Sequence, residues 1–91
     1  MSEVLFQAEG LEVNEVPDGY IVYQTSQDQV HFLNSTATLI FEFCNGQNSS
    51  ADIVERVVRA FDLEGDSKAG GEIETYLQNL LDKGLVRSDT N

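Results

Sequence analysis

The sequence predicts an α+β domain in which a three-stranded antiparallel β-meander is followed by three α-helices. Three observations predict it. Alternating polar and apolar residues run up to Leu33 and give way to helical spacing at Ala37, Ile40, Phe41 and Cys44. The connections between the early apolar segments are a few residues long, whereas parallel strands need crossovers of about a dozen or more. Two further apolar stripes at helical spacing follow, each with start and stop residues at its ends.

Taken in order, residues 1–10 read as a flexible lead-in whose packing candidates are Val4, Leu5 and Phe6. Leu11, Val13 and Val16 form a first strand of weak alternation. Pro17-Asp18-Gly19 then turns the chain, proline presetting one dihedral and glycine leaving the next one free. Residues 20–25, rich in β-branched and aromatic side chains, make the second strand. Ser26-Gln27-Asp28 is turn-like, and residues 29–33 make the third. Asn34 is placed to accept a hydrogen bond from a free amide in the first turn of a helix over 35–45, and Gly46 to end it with a positive φ.

A polar joint over 47–50 leads into the second helix. Ser49 and Asp52 have the spacing of a capping box, which is lost if Ser50 is the cap instead. Ile53, Val54, Val57, Val58 and Phe61 form one stripe and leave Glu55, Arg56 and Arg59 toward water. β-branched residues are indifferent helix formers, so packing must hold this helix. The acidic loop over 62–71 lacks the glycine and closing carboxylate of a calcium loop, those positions being Ser67 and Ile73. The third helix, over 71–83, carries Ile73, Tyr76, Leu77, Leu80 and Leu81, with Gly84 as its stop. Leu85 and Val86 return to the core, and the tail from Arg87, with residues 88–91 as a flexible C-terminus, frays.

Composition narrows the function. Ninety-one residues, 41% of them hydrophobic and one of them proline, make one small folded domain over 11–87. No apolar run is long enough to span a membrane and no signal-like segment opens the chain, so a cytoplasmic location is the default. Sixteen acids against five bases give a net charge of -11, and all five bases, Arg56, Arg59, Lys68, Lys83 and Arg87, follow residue 55. Such a surface repels nucleic acid and anionic lipid and suits a partner with basic residues. Cys44, the single cysteine, sits among Ile40, Phe41 and Phe43 as a buried small hydrophobe. With one histidine, no second metal ligand beside it and no acid-base constellation, the chain offers neither a catalytic centre nor a metal or cofactor site.

The order Leu33-Asn34-Ser35-Thr36-Ala37, Ile40, Cys44-Asn45-Gly46, Ile53, Leu77-Gln78-Asn79-Leu80 and Lys83-Gly84-Leu85 resembles the PqqD family. That family contains coenzyme PQQ synthesis protein D and the related peptide-recognition domains of ribosomal peptide natural-product pathways. The resemblance covers 11–87 and implies a winged-helix-like peptide-recognition domain without catalytic activity. It implies that the leader of a precursor peptide adds as a strand to the third strand, beside the third helix. The domain then presents the peptide to a modifying enzyme, often a radical S-adenosylmethionine enzyme.

Carried onto this chain, the pairing edge is Gln29, Val30, His31, Phe32 and Leu33, and the groove wall is Ile73, Tyr76, Leu77 and Leu80 with Lys83 near one end. Backbone pairing is open to any sequence, so selectivity has to come from pockets that read alternate leader side chains. Val30 and Phe32 share one face of the strand and His31 and Leu33 the other. Leu33 leads into the helix cap and is expected in the core. That carries His31 inward too, unless a bulge or twist at the strand end breaks the alternation. Tyr76 either closes the core with its hydroxyl at the surface or serves as a groove wall, and Lys83 is either a helix-end charge or the partner of an acidic leader residue. The competing functions are an acidic adaptor docking on a folded protein, and a winged-helix transcription regulator, which would need more cations than helix three and the β region carry. An open strand edge also allows a dimer in place of a monomer.

Overall fold

The computed structural model describes residues 3–88. In chain order the elements are β1 (Val4–Gln7), β2 (Leu11–Val16), β3 (Gly19–Gln24), β4 (Gln29–Asn34), α1 (Ser35–Phe43), β5 (Asn45–Ser49), α2 (Ser50–Ala60), α3 (Ala69–Asp82) and β6 (Val86–Ser88). The expected meander and its three helices are present. A second antiparallel sheet, in the order β5-β1-β6, accompanies the meander sheet β2-β3-β4.

The meander is built from tight turns. Val16 pairs with Gly19 across a loop of Pro17 and Asp18, and the register then runs without a slip to Leu11 opposite Gln24. Gly19 is required as glycine on two counts: its φ is +151°, and a Cβ there would stand 1.8 Å from the Leu33 carbonyl oxygen on the neighbouring strand. Between β3 and β4 the register is equally continuous, from Gly19 opposite Asn34 to Gln24 opposite Gln29. Val22 and Leu33 put the buried face of this sheet on the helices.

Both predicted helix starts are made as read. Asn34 Oδ1 accepts from the Ala37 amide at 2.9 Å. Ser49 Oγ accepts from the Asp52 amide at 3.2 Å while Asp52 Oδ2 accepts from the Ser49 amide at 3.1 Å, so Ser49 is the cap and the box is complete. The ends differ slightly. α1 stops at Phe43 with Cys44 as its cap, and Gly46 takes its positive φ, +84°, inside β5. Phe61, expected in the α2 stripe, caps that helix and is 38% exposed. α3 begins two residues earlier than the spacing suggested, at Ala69.

The lead-in expected over residues 1–10 is corrected by β1. Val4–Gln7 is the middle strand of the second sheet, paired with β5 on one side and β6 on the other. Leu5 is buried, and the Phe6 ring packs so closely on Gly46 that a Cβ at Gly46 would lie 2.6 Å from it. The Arg87 guanidinium sits 4.9 Å from the Phe6 ring centre on the same strand pair. The polar joint and the start of the expected tail are corrected with it: Asn45–Ser49 and Val86–Ser88 are the two flanking strands, while residues 1–2 and 89–91 lie outside the described residues. Each of these strands is short and takes its partners from distant sequence, so no local pattern marks it.

The core lies between the meander and the helices, with Val22, Ile40, Phe41, Ile53, Val57 and Leu85 almost fully buried. Cys44 joins it: its thiol donates to the Ile40 carbonyl at 3.3 Å, and burial pushes its pKa up to about 12.

Candidate functional site

β4 lies at the end of the order β2-β3-β4, and among the described residues it pairs with β3 alone. Alternate residues of an edge strand direct their amide and carbonyl groups away from the sheet, so β4 presents a row of backbone donors and acceptors. Beside it, β4 and α3 enclose a groove of about 180 Å³. Its apolar lining is Leu33, Ala37 and Leu80, with Phe32 and Tyr76 at its margins, and its polar lining is Asn34, Asn79 and Lys83. A second depression of about 270 Å³, lined by Glu72, Thr75, Tyr76 and Asn79, lies on α3 across Tyr76 from the groove.

Two side chains hold α3 against the strand. Asn34 caps α1 with its oxygen and donates through Nδ2 to the Tyr76 hydroxyl at 3.2 Å, which sets the Tyr76 ring as a wall shared by both depressions. Buried Gln24 donates through Nε2 to the Lys83 carbonyl at 3.1 Å, tying the far end of the strand pair to the end of α3. The Asn34 end of β4 therefore meets α3 near Tyr76, and its Gln29 end lies near Lys83.

The unbroken register settles the position of His31. It shares the inward face with Leu33 and lies half-buried, its Nε2 3.0 Å from Gln24 Oε1. The Gln24 amide nitrogen is committed to carbonyl oxygens, so Oε1 is the acceptor and His31 Nε2 carries the proton. Burial first, and the positive charge of Lys83 second, hold the imidazole below its ordinary pKa. Val30 and Phe32 face outward and are 66% and 58% exposed. Gln29 is exposed at the start of the strand.

Of the residues expected to form the wall, Tyr76, Leu80 and Lys83 line the groove, and Ile73 and Leu77 do not. Ile73 is buried in the core. Leu77 reaches a different and larger depression, of about 560 Å³, bordered by Glu3, Ser49, Glu74 and Leu81 among others and not by β4. Helical spacing identifies the apolar stripe of α3 but not which margin of the stripe is left open. Asn34, Ala37 and Asn79 were missed: Asn34 and Ala37 were read for their part in α1, and Asn79 is polar. The 76, 79, 80, 83 spacing along one helix face is the signal that would have included Asn79. Among the described residues no three His, Cys, Asp or Glu side chains converge as a metal site would require, and no helix is long and apolar enough to cross a membrane.

Residues 19–86 match the family described as Coenzyme PQQ synthesis protein D (PqqD). The chain belongs to the PqqD family. β3, β4, the groove and all three helices fall inside the matched stretch, and β1 and β2 lie outside it. A relative called PqqA binding protein, from Methylococcus capsulatus, is 33% identical over 55 residues, covering 60% of this chain and 56% of that protein. The chain thus aligns with little more than half the length of that relative. Among solved structures, a lasso peptide synthetase B1 complexed with a leader peptide superposes with a TM-score of 0.73, covering 91% of this chain and 96% of that one at 19% identity. That likeness establishes a shared fold over most of the chain.

Proposed function

We propose that this PqqD-family chain binds the leader segment of a ribosomally made precursor peptide as a fourth strand on β4 and presents it to a peptide-modifying enzyme of the radical S-adenosylmethionine or another class. The observation that carries the proposal is the pairing-competent edge of β4 lying beside an apolar groove against α3. The family membership, the name of the Methylococcus relative and the leader in the neighbouring solved structure support the same reading.

In this mechanism the backbone of β4 supplies hydrogen bonds that hold any extended chain, and the groove supplies selection. An inward-pointing leader residue beside Leu33 enters between Tyr76 and Leu80, where apolar burial rewards an aliphatic or aromatic side chain at about 25 cal/mol per Å² removed from water. The Tyr76 hydroxyl, which already accepts from Asn34, donates to a peptide carbonyl. The chain's part is binding and presentation without catalysis, in the cytoplasm: its cysteine is buried with a raised pKa, and its histidine is engaged with Gln24.

Titrating isotope-labelled protein with synthetic leaders of a PqqA-type and a lasso-type precursor tests this. Amide signals of Gln29–Asn34 and of α3 from Tyr76 to Lys83 are expected to shift together. Saturating amounts of both leaders that leave those signals in place would overturn the proposal.

A further inference from the structure

The outward face of the meander carries apolar side chains that the core does not use. Cross-strand rows there run Glu12, Tyr23, Val30 and, next to it, Asn14, Ile21, Phe32. Within a sheet each residue is covered laterally by a neighbour on either side. Val30 and Phe32 have Tyr23 and Ile21 on one side, and the open edge on the other. A valine and a phenylalanine, more than half exposed on an edge strand, are what soluble sheet proteins avoid, because such an edge invites pairing with another chain.

We infer that the strand added to β4 is read on both of its faces, so that the peptides this chain takes carry apolar side chains at consecutive positions and basic residues at the flanks. The inference rests on strand addition as proposed above and follows from its geometry. An incoming strand continues these two outward rows and the two inward rows, Val13, Val22, His31 and Glu15, Tyr20, Leu33, at once. Its inward residues lie beside His31 and Leu33 and enter the groove, and its outward residues lie beside Val30 and Phe32 and complete their lateral cover. A strand of strict alternation satisfies one face and leaves the other as exposed as before.

Charge selects this occupant over a second copy of the chain. Edge-to-edge pairing of two copies would also cover Val30 and Phe32. It would, however, bring together two meanders whose strands hold no lysine or arginine, with Glu12 and Glu15 on β2 and Asp18 and Asp28 in the turns, on chains of net charge -11. Chains of like net charge repel on approach, and a peptide with lysine or arginine on either side of its apolar run is attracted by the same acidic surface.

The test uses two short synthetic peptides with lysines at both ends, one with four consecutive apolar residues and one alternating apolar with serine, each titrated into the whole protein and into Val30→Thr. Val30 is chosen because Phe32 also borders the groove. The doubly apolar peptide is expected to bind about fivefold more tightly than the alternating one, and the advantage to fall to about twofold in Val30→Thr. Equal affinities in the unaltered protein overturn two-faced reading and leave strand addition standing. Failure of both peptides to shift the β4 amides overturns strand addition itself. A free protein that sediments as a dimer, and as a monomer once Val30 is replaced, assigns the outward pair to a second copy and overturns the inference.

Discussion

The two sheets of this domain have three strands each and are made in opposite ways. β2-β3-β4 is continuous in sequence, closed by two short turns, and among the described residues both its outer strands pair on one side only, with the edge of β4 lying beside α3. β5-β1-β6 gathers three segments from the start, middle and end of the described chain, and its central strand is paired on both sides. The difference separates two tasks. The non-local sheet ties the start of the described chain to the end of α1 and to the segment after α3, with the Gln7 amide donating to the Cys44 carbonyl at 2.8 Å and the Ala8 amide to the Leu85 carbonyl at 2.9 Å. The local sheet is held by its inner face and by Gln24, and its last strand keeps the unpaired edge on which we propose that a guest strand adds.

The comparison breaks most visibly at Leu5. Leu5→Ala removes the buried anchor of β1 and is expected to lower stability by about 2–5 kcal/mol, measured as a fall in the urea midpoint. A loss well below that range would show that the second sheet is an ornament of the fold and not its clamp. Next in size is Tyr76→Ala, at the half-buried wall of the groove. It is expected to weaken leader binding about tenfold, or about 1.4 kcal/mol by calorimetry, while the urea midpoint moves far less than for Leu5→Ala. Similar losses of stability in the two variants would mean that the groove and the clamp are not separable.

The smallest effect is at His31. Its folded pKa is depressed, so the folded state binds the proton less readily than the unfolded one. The contribution of the neutral imidazole is full above the unfolded value of about 6.5 and is lost as pH falls through 6.5 to the folded pKa. Stability should decline over that window in the unaltered protein and decline less in His31→Gln. Lys83→Gln should raise the imidazole pKa in an NMR titration, but leave part of the depression, because burial is the larger cause. An unchanged imidazole pKa in that variant would remove Lys83 from the neighbourhood of the strand.

Much of the local sheet and of the helix starts was legible because the groups that fix them are near one another in the chain. Pro17 to Gly19 turns within a few residues, and Asn34 and Ser49 each bond an amide three positions on. β5 was not legible: Asn-Gly-Gln-Asn-Ser is a poor strand sequence, and it forms one because β1, some forty residues away, supplies the partner. The site was half legible for a related reason. Tyr76, Leu80 and Lys83 border the groove and Ile73 and Leu77 do not, although the spacing puts all of them on or beside one apolar stripe. Leu80 is itself almost fully buried, so a charge placed there would test the core as much as the groove.

By itself the amino-acid sequence determined the alternation that puts His31 and Leu33 on one face and Val30 and Phe32 on the other, the caps, the turns and the acidic surface. These depend on groups a few residues apart or on composition alone, where bond geometry and side-chain chemistry leave little freedom. The tertiary structure decided that residues 4–7 are a central strand, that α3 opens its Tyr76 margin toward β4, and that β4 ends its sheet. Those depend on contacts between segments far apart in the chain, whose formation is settled by how the whole apolar surface can be buried at once.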